Sequence, residues 1–513
     1  MTGPPSVVGA VVIAGVPEVD FVALAPVVLP VVALLVVLGV DAVAPGGRRL
    51  KLIMDAVTLL GLLGAAGAVA GLARGPARST ACLTGADGDV PLCSYVVSDL
   101  TLALQAVVLL GAIGCVLLAL DGPGAADRTA HHVLLLSATA GALALAGARD
   151  LATFAVALET ATLPAVGLVA LRRDAQGAQA GITFLLTAIG SLGLLLFGVA
   201  LLYVAFGSLH LESIATALAT PDLDGRVLAV AGLGALLAVA GIAFKLSLVP
   251  FHLWTPDTYA GAPLPIAAFL ATVSKAAGLA GLVVLVGLGL PTLADAWAPT
   301  AGVLAAVTMT IGNVVALRQT VAVRLLAWST VAQAGWVLVP LASAGDGSPA
   351  SIRAAVAASV GYLLAYLAAS LAAFSVVVLL ARHHPAGEEH TLDAYRGLAR
   401  TEPVASAVLG FALACLAGLP PGVMGLVAKV LAIRPLVDRG VWVLAVVAAL
   451  NVALGLAYYV RWAGMLVARP EGEPPRWRVT VAEGLALGGS GAACVGLSVA
   501  GQVMAGLLPG VLR

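Results

Sequence analysis

Four lysines occur in the chain, Lys51, Lys245, Lys275 and Lys429, and three of them sit inside apolar runs: GIAFKLSLVPFH, LATVSKAAGLAG and GVMGLVAKVLAI. A cation near the middle of a membrane span costs about 2.5–3.5 kcal/mol on insertion scales, so a sequence this sparing with lysine places it there for a task or for a partner. Lysine also suits proton chemistry, because a dry site can make its ammonium give up a proton whereas a guanidinium stays charged. Glu159, in FAVALETATLPAVGL, is the clearest carboxylate in an apolar run. One such residue alone could snorkel or form an inert ion pair. A glutamate and three lysines spread over four apolar runs favour proton transfer along a buried axis, with Glu159, Lys245, Lys275 and Lys429 as its candidate groups and His252 as a candidate relay or capping partner.

Two of the lysine runs also carry helix breakers. Pro250 lacks an amide hydrogen and clashes with the carbonyl of Leu246, next to Lys245; Pro420 and Pro421, followed by Gly422, do the same to Leu416 and Ala417, two turns before Lys429. An isolated proline in a membrane helix is usually an ordinary kink. A broken helix beside a buried charge marks an ion pathway more often, because unwound backbone at membrane depth is tolerated only against protein or a water-filled cavity.

The elements that must position these residues follow from composition. The 513 residues are 61% hydrophobic and 10% charged with a mean hydropathy of +1.08, which cannot build the solvated surface of a soluble domain, typically about 25% charged. An aromatic fraction of 5% and long rather than alternating apolar runs exclude a β-barrel, and a formal net charge of zero leaves no footprint for nucleic acid. The fold expected is all-α and polytopic, with about fourteen membrane helices of roughly 20 residues each. The two broken spans are the seventh and twelfth. Their odd offset reverses their direction across the bilayer, as two inverted-topology repeats over spans four to eight and nine to thirteen require. The expected divisions are therefore residues 1–125 with three spans, 126–290 and 291–468 as the repeats, and 469–513 with a last span.

Positive residues crowd the loops after odd-numbered spans, including Arg128, Arg172, Arg173, Arg324, Arg382, Arg396 and Arg400. That bias puts those loops on the cytoplasmic side of an inner membrane and both termini on the outer side. The amino terminus lacks a charged region with a cleavage site, so the first apolar run is expected to be a retained span. Cys82 and Cys93 bracket an outward loop, where they either form a disulfide or remain two unpaired thiols. Cys115, Cys415 and Cys494 lie in spans as small packing residues. No cysteine or histidine spacing suits zinc or an iron–sulfur cluster, and no glycine fingerprint suits a dinucleotide.

Residues 241–282, GIAFKLSLVPFHLWTPDTYAGAPLPIAAFLATVSKAAGLAGL, together with LETATLP around Glu159, IGNVVALRQTVAVRLLAWSTVAQAGW from residue 311 and LAGLPPGVMGLVAKV from residue 416, resemble the antiporter-like subunits of respiratory complex I, most closely subunit N. The likeness covers roughly residues 150 to 465; the flanks match only in hydropathy. It implies a charge pair between Glu159 and Lys245, a hydrated axis continued by Lys275, and an end point at Lys429, where lysine rather than glutamate favours subunit N over subunit M. Two departures stand out. Where relatives show SSxxHxGY, this chain has Ser329, Thr330, Gln333 and Trp336, and glutamine carries no proton at physiological pH. Ala260 stands where a glutamate is frequent, in the loop after the seventh span.

The resemblance implies a proton-translocating membrane-arm subunit of NADH-quinone oxidoreductase, a translocase whose flavin, iron–sulfur clusters and quinone reside in partner subunits, with no cofactor or metal of its own. Its partners would be the other membrane-arm and peripheral-arm subunits and the lipid bilayer. Two rivals share the same charges: a subunit of a multi-subunit cation/proton antiporter, and a membrane subunit of a hydrogenase-type complex. A third reading makes the chain a scaffold with inert buried pairs.

Overall fold

A computed structural model describes residues 18–43, 48–83, 91–120, 128–383, 391–469 and 477–500. The outer ends of the first and last expected divisions, and the boundary expected at 125/126, lie outside these residues. Among the described residues thirteen helices are long and apolar enough to cross a membrane: Phe21–Val43, Arg49–Leu72, Asp99–Ala119, Arg128–Gly147, Leu151–Ala170, Ala175–Phe206, Gly225–Leu246, Leu264–Gly289, Pro291–Ala316, Ala322–Ser343, Pro349–His383, Trp442–Val467 and Val481–Val499. The remaining expected span, the twelfth, consists of two shorter helices, Pro403–Ala417 and Val423–Asp438. The chain is an all-α, polytopic integral membrane protein. One exception to its helicity was not foreseen: β1 (Arg78–Leu83) and β2 (Leu92–Val97) pair antiparallel, and Cys82 opposite Cys93 forms a disulfide across them.

Burial divides the helices into a sheltered centre and a rim. The eighth span is buried throughout, and the tenth and eleventh at 94%, whereas the first and sixth are buried at only 28%. A charge on a central helix therefore meets protein instead of lipid. At the rim, carboxylates tie flanking spans inward. Asp55 of the second span accepts from Arg128 Nε at 2.9 Å and pairs with His132 Nε2 at 2.8 Å on the fourth. Glu483 of the last span accepts from Arg382 Nη1 at 3.0 Å on the eleventh. Each carboxylate is thus paired where burial would otherwise be costly.

Both expected breaks are present. The helix of the seventh span ends at Leu246 and resumes at Trp254. Ser247 and Gly418 each take a left-handed conformation after the first helix of their span, and the amides of Leu248 and Leu419 return to the carbonyls of Ala243 and Ala414, both at 2.9 Å. This is the hydrogen-bonded reversal that closes a helix end without water. Pro250 and Pro421 follow cis peptide bonds.

Further positions match in geometry. The backbone of Gly141 lies hard against Ala161, and that of Gly312 against Ala332; Asp150 and Val321 each enter an isolated β-bridge at the start of a span. Gly141 and Gly312, Asp150 and Val321, Ser247 and Gly418, and Pro250 and Pro421 are all separated by the same number of residues. The correspondence is one of backbone path, with few side chains in common, and so escapes a reading of the sequence.

Two outcomes follow. Gly141→Val, which drives a side chain into the backbone of the fifth span, is expected to cost about 1–3 kcal/mol and to lower the yield of folded chain, whereas Gly67→Val, at a position with open space around it, leaves yield unchanged. Alkylation of the intact protein followed by mass measurement is expected to label Cys82 and Cys93 only after reduction.

Candidate functional site

The three intramembrane lysines are all buried, Lys245 at 1%, Lys275 at 2% and Lys429 at 5% exposure. Each ammonium is held by neutral oxygens. Lys245 Nζ donates to Thr162 Oγ1 at 2.9 Å and to the Ala161 carbonyl at 3.2 Å, both on the fifth span. Lys275, from the eighth span, donates to the carbonyl of Lys245 at 3.2 Å and to Ser247 Oγ at 2.5 Å. Lys429 donates to the carbonyls of Leu416 at 2.9 Å and Ala417 at 2.7 Å.

A shared logic lies beneath these contacts. A helix that stops inside the membrane leaves its last carbonyls without partners and presents the negative end of its dipole. Lys275 supplies a cation to the break after Leu246, and Lys429 supplies one to the break after Ala417. Lys245 and Leu416, whose carbonyls receive these ammoniums, are separated by the same interval as the paired positions above. The lysines themselves come from different places: one from the next span, the other from the second half of its own broken span. Gly418 lets the latter fold back; its φ is +79°, and a side chain there would meet Lys429 Cδ at 2.9 Å. Each ammonium also faces an indole, Lys275 at 4.7 Å from the Trp254 ring centre and Lys429 at 5.4 Å from that of Trp336, a favourable electrostatic contact in a desolvated site.

Glu159 stands differently from the pairing its sequence suggests. It is half-buried on the fifth span, within coulombic range of Lys245, but among the described residues the two form no ion-pair contact. Thr162, one helical turn beyond Glu159, takes the ammonium instead. His252 lies within the break: its carbonyl accepts from the Thr255 amide at 3.0 Å, its ring stands edge-on to Trp328 at 5.5 Å, and its Nδ1 is buried without a hydrogen-bond partner.

Residues that the lysine pattern did not reveal fill the second half of the site. Gln333 Nε2 donates to the Leu416 carbonyl at 3.3 Å and to Tyr459 Oη at 3.1 Å, and Tyr362 donates to Gln333 Oε1. Ser329 Oγ and Tyr459 Oη are 2.5 Å apart, and Tyr366 donates to Thr330 at 3.0 Å. Gln333 thus shares an acceptor with Lys429, in the place on the tenth span that Thr162 holds on the fifth. Tyr362 and Tyr366, one turn apart in an apolar run of a chain with only 8 tyrosines, were the available signal. Ser247, Thr255 and Trp254 carried none beyond nearness to the first break, and Trp336 none beyond its place in the segment that departs from SSxxHxGY. Among the described residues no group of three or more His, Cys, Asp or Glu side chains could hold a metal ion.

This combination of a many-helix bundle, two broken spans and lysines on their interrupted ends defines an antiporter-like membrane subunit. Residues 148–455 match the family model described as the transmembrane region of NADH:quinone oxidoreductase/Mrp antiporter proteins, and the chain belongs to that family. NADH-quinone oxidoreductase subunit N 2 of Streptomyces griseus is 44% identical over 467 residues, covering 90% of this chain and 85% of the relative. A chain of respiratory complex I from Thermus thermophilus superposes with a TM-score of 0.76 at 29% identity, covering 94% of this chain and 98% of that one. A chain of the Mrp complex from a Dietzia species shares the fold, with a TM-score of 0.77 at 22% identity over 96% of this chain and 100% of its own.

Thr162→Val removes the hydroxyl that receives Lys245. Because a hydrogen bond to a charged group contributes about 1.5–3 kcal/mol, proton transport is expected to fall by about tenfold or more in the folded protein. Thr160→Val, which among the described residues removes a hydroxyl donating to the Val156 carbonyl of its own helix, is expected to transport normally in the same assay.

Proposed function

We propose that the chain is a proton-translocating, non-redox membrane-arm subunit of an NADH-quinone oxidoreductase, respiratory complex I. The observation that carries this reading is the row of three buried lysines, two of them seated on interrupted helix ends, in a chain 44% identical to a subunit N across most of its length. Flavin, iron–sulfur clusters and quinone reside, in this reading, in partner subunits of the two arms. Both termini face outward, and spans four to eight (126–290) and nine to thirteen (291–468) act as two oppositely directed halves, each built around one break.

The chemistry is electrostatic. Lys245 and Lys275 are linked through one peptide carbonyl, so in a low-dielectric interior a proton on one opposes a proton on the other. Glu159 is the carboxylate that tips this balance: close to Lys245 it favours the proton there, and when its influence is withdrawn the proton favours Lys275. Because Lys245 donates to a hydroxyl and a carbonyl, it can change charge without breaking a direct ion-pair contact. Beyond Lys275, water and the hydroxyls of the tenth and eleventh spans lead towards Lys429. His252, with its ring inside the first break and against Trp328, is placed to join that path. Redox work elsewhere enters as a bias on the Glu159–Lys245 balance delivered by neighbouring subunits.

Lys245→Ala and Glu159→Ala are expected to leave assembly of the complex largely intact while sharply reducing proton pumping and coupled NADH:quinone turnover. Normal pumping by both variants in an assembled complex would refute the reading. Recovery of the tagged chain with only small membrane proteins and with sodium-dependent transport in the absence of NADH would transfer it to the cation antiporters.

A further inference from the structure

The proposed proton path leaves one interval open, between the two breaks. At the first break, Lys275 donates to Ser247 Oγ, which stands 2.5 Å from Thr255 Oγ1. Near the second, Tyr366 donates to Thr330 Oγ1 at 3.0 Å, and Tyr362, one turn away, donates to Gln333, whose amide shares the Leu416 carbonyl with Lys429. The helix Trp254–Gly261, second half of the broken seventh span, reaches from one group to the other. Thr255 lies in its first turn; Thr258 and Tyr259 follow three and four residues later and so share its face. All three are at 0% exposure. The Tyr259 ring stands edge-on to Trp254, the indole that Lys275 faces, and to Phe374 of the eleventh span. Its hydroxyl adjoins Thr330 and Tyr366 without an ordinary hydrogen bond to either, and Thr258 Oγ1 has no partner among the described residues. Thr272 and Thr330 show the usual alternative, in which a helical threonine donates to the carbonyl four residues back. Two buried hydroxyls left out of the helix's own bonding, between two lysine sites, call for a function.

We propose that Tyr259, assisted by Thr258, is the relay that carries a proton between the two halves; this rests on the proton-translocating reading. A phenol accepts a proton on its oxygen while it donates its own, so it passes charge on and stays neutral. The transfer balances at its ends. The Lys275 ammonium gives a proton to the Ser247–Thr255 pair, each hydroxyl of the row accepts one and releases one, and a neutral Lys429 amine gains one through the water and hydroxyls gathered around Gln333. The route needs no titrating side chain at position 333, where this chain has glutamine.

The test uses the assembled complex, reconstituted into vesicles, as wild type and with Tyr259→Phe, Thr258→Val, Tyr395→Phe or Lys245→Ala. Proton pumping coupled to NADH oxidation and the thermal unfolding midpoint are measured on the same preparations. Tyr395 is the matched control: its hydroxyl is equally buried and without a partner among the described residues, but it lies in the turn Leu392–Tyr395 against Trp462. Tyr259→Phe is expected to lose pumping as fully as Lys245→Ala and Thr258→Val to reduce it, both with an unchanged midpoint because no well-formed hydrogen bond is removed, while Tyr395→Phe pumps like the wild type. Normal pumping by Tyr259→Phe beside an inactive Lys245→Ala overturns the relay and leaves the translocating function standing. A loss accompanied by a lowered midpoint, or an equal loss in Tyr395→Phe, assigns the hydroxyl a packing role and also overturns it. Normal pumping by both Tyr259→Phe and Lys245→Ala removes the reading on which the relay rests.

Discussion

A helix that ends inside a membrane and a lysine buried inside a membrane are each costly alone, and here each removes the other's cost. The carbonyls at Lys245 and at Leu416 and Ala417 lie where their helices stop, and among the described residues the ammoniums of Lys275 and Lys429 pair with no carboxylate. Joined, the carbonyls gain donors and the cations gain acceptors. The arrangement differs from a buried salt bridge in one respect that matters. Loss of the proton leaves a neutral amine among neutral oxygens, and no bare carboxylate is stranded.

The rest of the molecule serves that arrangement. Three central spans are kept away from lipid by the rim helices, which allows the eighth to carry Lys275 and the tenth and eleventh to carry Gln333, Tyr362 and Tyr366. The breaks recur with the same reversal and the same proline, yet the lysines that fill them arrive by different routes. The geometry of the breaks is repeated, while the chemistry laid on it diverges: Thr162 beside the first becomes Gln333 beside the second, and the hydroxyls of Tyr362, Tyr366 and Tyr459 gather near the second.

Much of this was legible in the residues. Pro250 and Pro420–Pro421 announced the breaks because a missing amide and a ring clash act locally, and Glu159 and the lysines stood out because charge is scarce in an apolar sequence. The contacts were not legible. Whether Lys245 meets Glu159 or Thr162 depends on a rotation of about one helical turn, and nothing in the spacing of Lys245 and Lys275 places one ammonium on the other's carbonyl. The β1–β2 hairpin was hidden in a loop whose only marked residues were two cysteines. The equal spacing of these paired positions was hidden because packing fixes close approaches such as Gly141 on Ala161, and most other positions are free to vary among apolar residues.

The most direct measurement is proton pumping by the assembled complex carrying Lys275→Arg. Arginine keeps the positive charge and the donors that the broken helix needs, but it does not release a proton. If Lys275 carries protons, the complex assembles and its pumping collapses. Pumping at the wild-type rate would mean that the lysine serves only to hold the helix end, and would contradict the account.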